Sequence, residues 1–100
     1  MSARNVTVTV GYIPGGAQFG PWDRWSYRPF ERRDYADGLT VVLLSNNRGS
    51  VVAVGWPRRT GLAGWRSDGQ PVRGLARKFS PDFTSGRLSA FVRQARQMVA

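Results

Sequence analysis

The chain has 100 residues, with 15 Lys and Arg against 6 Asp and Glu, a formal net charge of +9, and neither His nor Cys. That inventory excludes Ser-His-Asp and Cys-His nucleophilic sites, zinc and haem ligation by His or Cys, and any disulfide framework. The length and a hydrophobic fraction of 41% predict one domain over residues 1–100, built around a single core.

Residues 5–12 alternate strictly, with Val6, Val8, Val10 and Tyr12 on one side and Asn5, Thr7 and Thr9 on the other. A period of two in β-branched residues predicts a half-buried strand. Residues 13–38 then hold six aromatics, Phe19, Trp22, Trp25, Tyr27, Phe30 and Tyr35, interleaved with arginine, glycine and proline. Pro29–Ala36 reads as a short helix started by proline and stopped at Asp37-Gly38. The rings of this segment suit either a stacking platform for unpaired bases or a layer packed over the sheet. In the packed layer the local arginines would pair with Asp23, Glu31, Asp34 and Asp37, and the near balance of charge favours that reading.

Residues 39–44 and 51–54 are short apolar runs joined by Ser45–Ser50, a stretch rich in Asn and Gly that predicts a hairpin. With both faces apolar, the strand at 39–44 is expected to be central. Residues 57–75 are polar, basic and glycine-rich; Asp68-Gly69 predicts a tight turn that pairs 65–67 with 70–72, leaving Pro71 on an edge. At the C-terminal end Leu88, Phe91, Val92, Ala95, Met98 and Val99 follow helical spacing, which predicts an amphipathic helix. Its start falls either at Ser80-Pro81 or near Ser85. The fold class is therefore α+β: an antiparallel sheet of three to five strands with a C-terminal amphipathic helix, packed on one face or at a dimer interface.

Fourteen of the fifteen basic residues are arginine, Lys78 being the exception. Residues 1–38 carry five Arg against four acids, whereas residues 39–100 carry ten basic residues against Asp68 and Asp82. Charge concentrated in this way is the footprint of a polyanion binder, and the arginine fork suits phosphates and guanine edges. The expected partner is nucleic acid, DNA before RNA. Its candidate contacts are Arg48, Arg58, Arg59, Arg66, Arg73, Arg77 and Lys78, with Trp65 as an exposed stacking ring. The helix stripe, Leu88, Phe91, Val92, Ala95, Met98 and Val99, is the candidate homodimer interface. An alternative class is an accessory or inhibitory protein of phage or plasmid type, whose exposed Trp and Arg anchor a protein interface.

No phosphate-loop or dinucleotide motif is present, and the acids at 31, 34 and 37 lack a neighbouring lysine, so no cofactor and no metal are expected. A metal-independent ribonuclease working through Arg, Tyr and Lys is the remaining enzymatic option. Small basic toxins of the RelE type do this, but they place helices before the sheet and this chain ends on one. Strands followed by one amphipathic helix are similar in architecture to Whirly-type single-stranded DNA binders, which dimerise through such helices. No motif is shared, so no residue roles carry over. No apolar run reaches the ~18 residues of a membrane span, and the N-terminus lacks a signal-peptide pattern; a cytoplasmic location is expected.

Overall fold

The computed structural model describes residues 5–11, 19, 22, 26–79 and 83–99. Five strands, β1 (Val6–Val10), β2 (Arg28–Tyr35), β3 (Leu39–Ser45), β4 (Val51–Pro57) and β5 (Leu75–Phe79), form one antiparallel sheet in chain order. A helix, α1 (Ser85–Ala95), follows and runs into a 3-10 turn at Arg96–Val99. The α+β expectation holds, at the upper end of the strand count.

The strand β2 replaces the short helix expected over Pro29–Ala36. Its charges explain why. Arg33 pairs with Glu31, and Arg32 with Asp34 at 3.0 Å. Partners two residues apart share a face on a strand but not on a helix. The segment also lies between β1 and β3, which together supply partners along its length. Pro29 sits beside a register irregularity between Pro29 and Glu31, where a missing N–H is tolerated. The turn to β3 is closed by Gly38 N–H donating to Tyr35 O at 3.1 Å, with Gly38 at φ 103°.

The central strands β3 and β4 are buried on both faces. The hairpin between them is the one expected. The Asn46 side-chain oxygen accepts from Arg48 N at 2.9 Å and Ser50 N at 3.0 Å, which holds the loop as an Asx turn. Further on, Trp65 bridges to Pro71 and Arg66 N donates to Gln70 O at 2.8 Å, as the Asp68-Gly69 turn predicts. The strand β5 has no clean alternation, because Arg77 and Lys78 interrupt Leu75, Ala76 and Phe79.

Leu39, Val41 and Leu43 face α1, whereas Val42 and Leu44 face away. The helix starts at Ser85, the second of the two expected positions. Thr84 is its N-cap, accepting from Arg87 N at 3.2 Å, and residues 80–82 lie outside the described residues. Its apolar stripe is used inside the chain: Leu88, Phe91, Val92 and Ala95 are buried in the sheet's own core, and Val99 packs against it half-buried. Of the six residues expected at a dimer interface, Met98 alone remains well exposed.

The opposite face is covered by Phe19, Tyr27 and Trp56, with Trp22, Leu62 and Trp65 packed at the margin. This is the packed-layer reading of the aromatic segment, seen for Phe19, Trp22 and Tyr27. Phe30 and Tyr35 belong to the helix side, and Trp25 lies outside the described residues. Among the described residues no helix is long and apolar enough to cross a membrane.

Candidate functional site

The structure sorts the basic side chains into two kinds. At the end of the sheet carrying the β2–β3 turn, cations are bound to acids and carbonyls. Arg58 donates to Tyr35 O at 2.8 Å, Leu39 O at 3.1 Å and the Thr40 hydroxyl at 3.2 Å, and reaches Asp34 at 3.5 Å. Asp34 also accepts from Thr40 at 2.8 Å and from Arg32. Partial burial alone would raise the Asp34 carboxyl. Its hydrogen bonds from Arg32 and Thr40, with the charges of Arg32 and Arg58, hold it below the usual carboxylate value. Nearby, Arg96 pairs with Asp37 and lies over the Tyr35 ring, its guanidinium carbon 5.0 Å from the centroid. On β2, burial works against the Arg33 cation, but hydrogen bonds to Glu31 and Tyr35 raise its pKa further above the ordinary arginine value.

At the opposite end no acid lies beside the cations among the described residues. Arg48 stands exposed at the tip of the β3–β4 hairpin, and Lys78 is exposed on β5, in register with Val52 of β4. Both line an open cleft of about 470 Å³ completed by Trp22, Ser26, Tyr27, Asn46 and Asn47. Among the described residues no carboxylate lines it. The Trp22 ring is held edge-on against Tyr27, with centroids 5.9 Å apart, and its Nε1 donates to Gly69 O at 3.2 Å. Ser26 has φ 67°, the one non-glycine residue with positive φ among those described. Backbone held in that sparsely populated region concentrates at ligand sites. Arg28 stands at the same end of the sheet, paired with Ser45.

The expected contact residues therefore do not form one surface. Arg48 and Lys78 are brought together. Arg58 fastens the β2–β3 turn to the end of β4, and Arg59 stands exposed beside it. Arg66 and Arg73 are exposed in the 58–74 connection, while Arg77 points to the helix side and donates to Gln94 at 2.9 Å. Trp65 is not the exposed ring expected; it is half-buried against the aromatic core, because the 65–71 pairing folds its loop onto the sheet.

Sequence reasoning missed Trp22, Ser26, Tyr27, Asn46 and Asn47 as one site. The two asparagines read as turn formers and the rings as cover, and only the fold makes them neighbours of Lys78. Chemically the cleft offers two cations, amides, a hydroxyl and an aromatic rim, a set suited to holding a phosphate beside a planar group. No protein-family profile, curated protein or solved structure matches this chain.

Proposed function

We propose that the protein binds nucleic acid, DNA in preference to RNA, by contacting backbone phosphates with Arg48 and Lys78 at the open end of the sheet. One observation carries this reading: Glu31, Asp34 and Asp37 are held by arginines at β2 and its turn, whereas Arg48 and Lys78 share a cleft with no acid among its described lining residues. The uncompensated charge is thus local. Arg66 and Arg73 extend the positive field along the 58–74 connection, and Trp22 gives the cleft a ring against which a base can rest. The role proposed is binding.

The test is a mobility-shift series on single-stranded DNA, duplex DNA and RNA of equal length. Retardation is expected at ~50 mM salt and should weaken steeply as salt rises. Replacing both Arg48 and Lys78 by Ala should lower the slope of log affinity against log salt by roughly 1.4 on single strands or 1.8 on duplex, two phosphate contacts' worth. Absence of retardation on all three polymers overturns the proposal, and so does an unchanged slope. Arg58 should not be part of that variant, because its loss would disturb the fold as well as the charge.

A further inference from the structure

The two edges of the sheet are built differently. On β5 the outer edge is closed by a side chain: Gln70 donates through Nε2 to Ala76 O at 2.9 Å and accepts from Ala76 N at 2.9 Å. Arg77 and Lys78 add charge to the same strand. Both devices blunt an edge against pairing. The other edge strand, β1, has neither among the described residues. Its sequence is Val-Thr-Val-Thr-Val, with no charge and no proline, and its register against β2 runs without a bulge.

The direction of its backbone groups follows from its neighbour. Asn5 O accepts from Ala36 N at 2.9 Å, and Gly11 N donates to Phe30 O at 3.3 Å. Odd-numbered residues therefore bond to β2, and the alternation of an antiparallel ladder turns the N–H and C=O of Val6, Val8 and Val10 outward. The same three residues are 39%, 48% and 68% exposed. Through the register they lie on the helix-bearing face, opposite Tyr35, Arg33 and Glu31, at a margin α1 leaves uncovered.

We infer that β1 pairs with β1 of a second copy of this chain, antiparallel and two-fold about Val8. In that register Val6 lies opposite Val10 of the second copy and Val8 opposite its equivalent. Each opposed pair exchanges the outward N–H and C=O groups, and the valines of the two chains form one continuous apolar stripe. Charge selects this occupant. Two chains of +9 repel, and among the described residues β1 is an edge where they meet without bringing cations together, since Arg32 and Arg33 on the next strand are already paired with Asp34 and Glu31. An acidic partner strand, by contrast, would find no charge on β1 to engage. The inference is independent of nucleic-acid binding and moves self-association from the helix stripe, which the core consumes, to the edge of β1.

Sedimentation equilibrium of the protein alone, without nucleic acid, tests it. The expected mass is that of two 11.1 kDa chains at sub-millimolar concentration. Val8→Pro removes an N–H that faces outward while leaving the bonds to β2 in place, so it should return the mass to one chain with the circular dichroism spectrum unchanged. Val8→Arg, which sets like charges against each other at the two-fold axis, should do the same without altering backbone chemistry. Thr7→Pro strikes the inward side instead and should lower the melting temperature of the fold. A single-chain mass for the unmodified protein overturns the inference. Two-chain mass retained in both Val8 variants, or assembly beyond two chains, overturns it equally.

Discussion

Arginine serves opposite ends of the same sheet in different ways. Around the β2–β3 turn, Arg58 is fastened to the carbonyls of Tyr35 and Leu39 and to Thr40, and Arg96 to Asp37. At the other end, Arg48 and Lys78 project beside a cleft lined by amides and rings. The first group closes the structure; the second has no acid partner among the described residues. The difference teaches that a net charge is not a surface property until its internal pairs have been subtracted.

The largest effect that would sharpen this contrast is on stability. Arg58→Ala leaves the carbonyls of Tyr35 and Leu39 without its donors. Because the guanidinium is well exposed and water can partly replace it, the expected loss is about 1–2 kcal/mol, or roughly 5–15 °C in melting temperature. An unchanged melting curve would break the division between fastened and free cations.

A smaller and pH-dependent effect belongs to Asp34. Its folded pKa lies below the unfolded value, so its stabilising contribution is present above about pH 4 and is lost as pH falls through the depressed folded value. Asp34→Asn should therefore be less stable than the natural chain at pH 6, with the gap closing toward pH 2. Urea titrations of both proteins across that range check the sign; a gap that widens in acid contradicts the pairing.

The smallest effects are expected at the free end. Arg48→Ala, Lys78→Ala and Arg59→Ala should each change stability by no more than ~0.5 kcal/mol in denaturant titrations. Of these, Arg48 and Lys78 should nonetheless reduce DNA retention, so that stability and binding separate on different arginines. A marked destabilisation by Arg48→Ala would mean that the hairpin tip, too, serves the fold.

Much of the architecture was legible in the chain. The Val/Thr alternation marked β1, the apolar runs marked β3 and β4, and helical spacing from Leu88 marked α1. The strand β2 was hidden because Pro29 and the dense charges suit a helix start. The informative detail was the i, i+2 spacing of Glu31 with Arg33 and of Arg32 with Asp34. The strand β5 was hidden for a different reason: an edge strand can expose Arg77 and Lys78 together, so its hydrophobic period is weak. For the site, sequence pointed to the right charges without their company. Whether an arginine is free depends on which carbonyls and carboxylates the fold brings to it, and Arg58 meets residues 18 to 24 positions away.

The meeting of Gly55 and Gly74 sets a limit on how this sequence can vary. A Cβ on Gly74 would come within 2.2 Å of the Gly55 carbonyl oxygen, and a Cβ on Gly55 would press on Ala95 at 3.1 Å and Phe91 at 3.4 Å. Helix, central strand and the approach to β5 therefore converge where no side chain fits. Diverging copies of this chain can exchange surface arginines and rebuild the turns, but they should retain this glycine pair. In a chain so rich in replaceable arginine, the two smallest residues would be the more lasting mark of descent.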